Sequence, residues 1–263
     1  MNGPSEGMAS LSLGAGPPLL LMPGLTPDHR PPTGMARRAQ LGLMRPLAQH
    51  RQVWWVNRRQ GLPEGTTMAD LADDYATMLR EWQAAPIDVV GVSTGGEVAL
   101  QLAADHPELV RRLVLVASAC RLGAGGHEVE RRAAEALERG DRRTAASLLW
   151  RLLPSGRLAT AVAGGVGWLL PGPVVAKEHS DLLATMRAEL AFDLSDRLHE
   201  IATPTLVVGG SEDASYGEAV FRETASGLPF GHLSLRPGRS HAATVTGRGL
   251  GPEVNAFLGQ HDT

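Results

Sequence analysis

Short apolar runs alternate with longer segments of helical periodicity through the first half of the chain, the pattern that a parallel sheet with crossover helices requires. The runs are Leu19 to Met22, Val53 to Asn57, Ile87 to Val92 and Val110 to Ala117. A helix is expected from about Thr33 to Gln49. Another follows Thr67, a residue suited to cap it, because Asp70 stands three positions on and Met68, Leu71, Tyr75, Met78, Leu79 and Trp82 recur at helical spacing. A third is expected between Gly96 and His106, directly after the run that ends at Val92.

The alternation stops near residue 120 and resumes at Thr205. Between them stand Arg/Glu-rich helical text from Glu128 to Arg139, an Ala/Leu-rich segment from Thr144 to Leu153, a Gly/Pro-broken stretch from Pro154 to Pro173, and a helix expected over Lys177 to Leu190. A buried strand at Thr205 to Val208 and a short one at His232 to Leu235 complete the pattern. The chain therefore reads as one α/β domain: a mostly parallel central sheet flanked by helices, formed by residues 1–120 and 195–263, with residues 121–194 inserted as a helical cap. A length of 263 residues with 43% hydrophobic content supplies enough material for such a core. The first dozen residues, rich in Gly and Ser, are expected to be mobile.

Composition excludes several classes. A formal net charge of -3 leaves no global basic field for a phosphate backbone, so nucleic acid is not an expected partner. Cys120 is the single cysteine and cannot form an intrachain disulfide, so a reducing cytoplasm is the expected compartment and a packing role the expected use of the thiol. Leu19 to Met22 is too short for the core of a signal peptide. The longest apolar stretch, Leu158 to Leu170, contains three glycines and falls below the roughly 18 residues that cross a bilayer, so a soluble chain without a membrane span is expected. No His/Cys/carboxylate cluster has zinc-ligand spacing, and no Gly-x-Gly-x-x-Gly follows an early strand. No cofactor or metal is expected.

Chemistry concentrates at Gly91-Val92-Ser93-Thr94-Gly95, placed between a buried strand and a helix. Small residues flank the serine where a tight strand-to-helix turn would make side chains collide, and such a turn holds the hydroxyl out from the sheet edge. A serine hydroxyl is a weak nucleophile at neutral pH and needs a base together with a group that orients the base. Asp213, after the strand at Thr205, and His241, after the strand at His232, follow Ser93 in chain order. Loops at the carboxyl ends of strands converge on one edge of an open α/β sheet, which places all three together. Bland readings exist: an inert turn serine, a loop-capping aspartate, a surface histidine. Glu212 is the rival acid.

These motifs resemble those of the α/β-hydrolase superfamily: the elbow Gly91 to Gly96, the acid turn Gly210-Ser211-Glu212-Asp213, and the terminal loop Pro237 to His241. The resemblance implies a serine hydrolase in which Ser93 attacks a carbonyl, His241 carries the proton and Asp213 orients the imidazole. It also implies an oxyanion hole from the amides of Thr94 and Leu25. Three departures stand out. Pro23-Gly24 replaces the His-Gly common among relatives, Asn57-Arg58-Arg59-Gln60-Gly61 replaces an Asp-x-Arg-Gly-x-Gly pattern, and the usual opening hairpin looks trimmed. Arg58 or Arg59 could meet a substrate carboxylate, although solvated loop arginines are the plainer reading.

The expected activity is cleavage of carboxylic esters of small to medium apolar substrates through an acyl-enzyme, with Trp150 and Trp168 as candidate pocket residues against an equal expectation that they fill the cap's own core. Thioester, lactone or carbon-carbon bond hydrolysis would use the same triad, and a ligand-binding receptor on a hydrolase scaffold is the reading outside enzymes. The expected partner is a small apolar ester. The apolar cap could also serve a homo-oligomer interface.

Overall fold

Each apolar run becomes a strand of a single sheet, and those of the central strands are buried on both faces, whereas the last, His232 to Leu235, is only partly buried. The structure, a computed structural model, describes residues 8–259. The strands are β1 (Met8–Leu13), β2 (Pro18–Met22), β3 (Gln52–Arg59), β4 (Ile87–Val92), β5 (Val110–Val116), β6 (Thr205–Gly210) and β7 (Gly231–Arg236), in the order β1-β3-β2-β4-β5-β6-β7. Only the β1–β3 pair is antiparallel. Along β2 the side chains alternate between two cores, with Leu20 and Met22 on one face and Leu19 and Leu21 on the other. Covering both faces with helices is why these strands read as continuous apolar runs rather than as alternating ones.

The crossover helices are α1 (Gly34–Leu47), α2 (Met68–Trp82) and α3 (Thr94–Asp105). Thr67 caps α2 as its spacing predicts: its hydroxyl accepts from the Asp70 amide, and the Asp70 carboxylate accepts from the Thr67 amide. The insertion between β5 and β6 is helical, comprising α4 (Ala124–Glu138), α5 (Arg142–Arg151), α6 (Arg157–Leu169) and α7 (Ser180–Leu190). It has its own small core of Ala133, Leu137, Ala146, Leu149, Leu182 and Met186 among others. An isolated antiparallel bridge joins Arg121 to Asp193 across its two ends. The chain closes with α8 (Glu218–Gly227), the short α9 (His241–Val245) and α10 (Leu250–Leu258), none of which the periodicity of the sequence made evident.

Two expectations need correction. The first dozen residues are not mobile throughout, because Met8–Leu13 form β1, paired to β3 from Leu13↔Val53 to Met8↔Arg59; residues 1–7 lie outside the described part. Backbone pairing with β3 holds this edge, and Met8 is buried in one core while Leu11 and Leu13 pack against the other, so a Ser-containing segment still enters the sheet. The second correction is α6, where a Gly/Pro-broken stretch was expected. Gly164 and Gly167 do not break this helix; they are its contact face, since a Cβ at 167 would lie 2.6 Å from the Ala146 carbonyl oxygen of α5. Close approach recovers in packing what glycine loses in propensity. The opposite face of α6 leaves Leu158, Val162, Leu169 and Leu170 exposed.

At the amino ends of the strands, Asp88 of β4 is buried and receives both Arg51 and Arg111, and both arginines also donate to the Leu258 carbonyl of α10. This charge network fastens the terminal helix to the sheet. The carboxyl ends are left for chemistry: the loops after β2, β4, β6 and β7 carry Leu25, Ser93, Asp213 and His241.

Candidate active site

Ser93 occupies the turn between β4 and α3 with φ 51° and ψ -131°, a conformation that non-glycine residues rarely adopt. The strain is held from several sides. The Ser93 amide donates to Val116 of β5 at 3.0 Å, and its carbonyl accepts from the Gly96 amide at 2.7 Å. Glycine is required on either side for close approach: a Cβ at 91 would lie 2.4 Å from the Gly96 Cα, and one at 95 would lie 2.2 Å from the Pro23 carbonyl oxygen. Ser93 itself is half-buried, accessible where its neighbours are not.

Asp213 and His241 form a buried pair. His241 Nδ1 lies 2.9 Å from Asp213 Oδ2, and the other carboxylate oxygen accepts from the amides of Ser215 and Tyr216 at 2.8 and 3.2 Å. An acceptor opposite Nδ1 fixes the proton on that nitrogen and leaves Nε2 as the free base. The Tyr216 ring stacks on the imidazole, with centroids 6.1 Å apart and planes 17° apart. Ser240 caps α9 by accepting from the Ala243 amide, so His241 starts a helix whose entry is fixed. Glu212 is exposed and has no such partners, which separates it from Asp213 on geometry alone.

The loop after β2 lies directly over the elbow. A Cβ at Gly24 would sit 3.1 Å from Ser93 Cβ and 3.2 Å from the Val92 carbonyl oxygen, so the backbone next to Leu25 is in contact with the Ser93 turn. The Leu25 side chain packs into the core of the cap. Thr94 is buried at the start of α3, and its hydroxyl donates to Glu189 of α7 at 2.7 Å.

The role of Arg58 was not foreseen. It is buried, not solvated, and it holds Thr26 through the hydroxyl at 2.6 Å and the carbonyl at 3.0 Å. Asn57 adds bonds to the Thr26 hydroxyl and the Asp28 carbonyl. The departure after β3 is thus a clamp on the loop that carries Leu25, and its signal in the sequence was an arginine immediately following an otherwise buried strand. Arg59 instead pairs with Asp74 of α2 at 2.8 Å. His29 lies 3.4 Å from Asp181 at the rim of a cavity of about 360 Å³ between this loop and α7.

Trp150 is half-buried in the α5–α6 contact against Gly167, whereas Trp168 is exposed with the Arg143 guanidinium 4.9 Å above its ring. Both stand in the cap, Trp150 on α5 and Trp168 on α6. Cys120 is buried, and burial pushes its thiol up to about 11, so it remains protonated and inert at neutral pH. Among the described residues, no group of three or more His, Cys, Asp or Glu is arranged to hold a metal ion, and no helix is long and apolar enough to cross a membrane.

Residues 17–161 match the family described as alpha/beta hydrolase fold, which is more than half of the chain. The chain belongs to that family. Among curated relatives, a Rhizobium rhizogenes protein named for carbamate hydrolysis, RutD, is 27% identical over 194 residues, covering 70% of this chain and 71% of its own length. A pimeloyl-[acyl-carrier protein] methyl ester esterase of Neisseria meningitidis is 38% identical over 133 residues, 49% of this chain and 52% of that protein. Among solved structures, an alpha/beta hydrolase enzyme from a Medee basin deep-sea metagenome library superposes with a TM-score of 0.82 at 16% identity, covering 97% of this chain and 95% of that one. At that identity the superposition speaks for the fold alone, and it does so over nearly the whole chain.

Proposed function

We propose that the protein is a serine hydrolase cleaving carboxylic esters of small to medium apolar substrates through an acyl-enzyme. The observation that carries the reading is the buried Asp213–His241 pair at 2.9 Å, set on the same sheet edge as a strained serine at a strand-to-helix turn. His241 Nε2 removes the Ser93 proton as Oγ attacks the carbonyl, and Asp213 stabilises the imidazolium that results. The proton then passes to the leaving alcohol, and water repeats the sequence to release the acid. The Thr94 and Leu25 amides stabilise the oxyanion, the former fixed at the start of α3 and the latter held by the Asn57–Arg58 clamp. No cofactor enters this chemistry. Residues 121–194 form the cap over the site, a limit supported by the Arg121–Asp193 bridge, and Trp150 contributes apolar surface beneath it.

The names of the curated relatives support acyl chemistry at a carbonyl bearing a heteroatom, one through a carbamate and one through a methyl ester. A panel of p-nitrophenyl esters of increasing acyl length, with a thioester, a lactone and a carbamate beside them, tests the reading. The expected result is turnover of short and medium esters that Ser93→Ala abolishes while leaving the circular dichroism spectrum intact. Unchanged turnover in Ser93→Ala contradicts it, and tight binding of a ligand without turnover would favour the receptor reading.

A further inference from the structure

Three glutamates meet in the interior where the cap joins the elbow. Glu97 comes from α3, one turn beyond Ser93; Glu130 comes from α4; Glu189 comes from α7. Their exposures are 0%, 4% and 3%. Among the described residues none is paired with an arginine or lysine, and the three are not arranged to hold a metal ion. Neither oxygen of Glu97 has a hydrogen-bond partner, nor has Oε1 of Glu130 or the hydroxyl of Tyr216, which faces both Glu97 and Glu189. The Tyr216 hydroxyl favours the ionised form of both carboxyls without forming a bond of regular geometry, so it is a donor open to either one.

Like charges at such a place cannot all ionise, and unsatisfied carboxyls are costly to bury. A hydrophobic contact between cap and core would be cheaper. What the carboxyls touch explains their presence: Glu189 accepts from the Thr94 hydroxyl, and Thr94 is the residue whose amide is the proposed oxyanion donor. Tyr216 is stacked on His241 and gives its amide to Asp213. The cluster thus reaches the residue after the nucleophile and the back of the base at once.

On the hydrolase reading above, we propose that Glu189 is a positioning residue: from the cap it holds Thr94, and with it the oxyanion amide, in a buried site completed by Glu97, Glu130 and Tyr216. Burial raises all three carboxyls, Glu97 and Glu130 well above the usual range and Glu189 to about 7. Glu130 and Glu189 face one another, so the charge of either one raises the other. The groups that face Glu189 are Thr94 and Glu97 from α3, Glu130 from α4, Tyr216 from the loop after β6, and His241 from α9.

Ester turnover of the full chain from pH 5 to 9 tests this with Glu189→Leu, Glu189→Gln and Thr94→Val. Glu189→Leu is expected to lower kcat by about 10- to 100-fold with little change in KM, because a displaced oxyanion donor acts on the transition state. Thr94→Val removes the same hydrogen bond from its other end and is expected to do likewise, which keeps the test decisive should Glu189→Leu fail to fold. Glu189→Gln retains an acceptor for Thr94 and is expected to recover most of kcat, while its pH–rate profile loses the inflection contributed near pH 7. Wild-type kcat in both Glu189→Leu and Thr94→Val, with an unaltered profile in Glu189→Gln, overturns the positioning role and leaves the hydrolase reading standing. A wild type that turns over no ester, or whose turnover survives Ser93→Ala, overturns both.

Discussion

Asp213 and Glu212 are adjacent carboxylates, and the sequence alone gave no physical ground to choose between them beyond the spacing of a family. Burial and hydrogen bonding decide: Asp213 accepts from two amides and from His241, while Glu212 faces solvent. Asp213→Asn should therefore lower kcat by about 10⁴-fold, since the amide no longer enforces the tautomer with a free Nε2. Glu212→Gln should leave ester turnover unchanged. Steady-state kinetics on the two variants checks both, and equal losses would contradict the assignment. The glycines of the elbow were legible in the same way, as positions where small residues must sit, but the atoms they avoid were not. Gly95→Ala would place a methyl 2.2 Å from the Pro23 carbonyl oxygen, backbone against backbone. Its expected cost is about 1–3 kcal/mol of unfolding free energy, read by urea denaturation, with turnover lost as the loop over Ser93 shifts.

At the scale of elements, most strands were legible because each is a run buried on both faces, and most helices because of capping or periodicity. The failures share a cause: tertiary contact overrode local composition. β1 enters the sheet as an edge strand through backbone pairing with β3, and α6 turns glycines into a packing face against α5. The Asn57–Arg58 clamp was equally hidden, because nothing local in Arg58 reveals that its partner is Thr26 in a loop 32 residues away. Burial holds the Arg58 guanidinium somewhat below its ordinary range, but its bonds to Thr26 and the facing Asp181, Tyr75 and Asp28 support the charge. Arg58→Met should release the loop carrying Leu25 and lower kcat by about 10- to 100-fold without raising KM. A rise in KM with kcat preserved would instead make Arg58 a substrate contact.

For the whole molecule, the buried acid cluster sets an unusual direction of pH dependence. Glu189 has an ordinary value of 4.5 and is raised to about 7 in the folded chain, and burial raises Glu97 and Glu130 as well. The folded state thus holds protons that the unfolded chain releases, so this contribution to stability is fully present below about pH 4.5 and is lost as pH rises through 7. Asp70, Glu108, Glu128 and Asp141 are lowered by hydrogen bonds and act in the opposite sense, but all are surface groups whose effect is small in water. Tm should therefore be higher at pH 5.5 than at pH 8, and the difference should shrink in Glu189→Gln, as differential scanning calorimetry would report. The central claim is that Ser93 is a nucleophile activated by His241. Incubation with a fluorophosphonate, followed by intact mass and peptide mapping, tests it most directly: one adduct at Ser93, absent in His241→Ala, is the expected result, whereas a folded wild type that takes no label, or one that labels equally without His241, would contradict it.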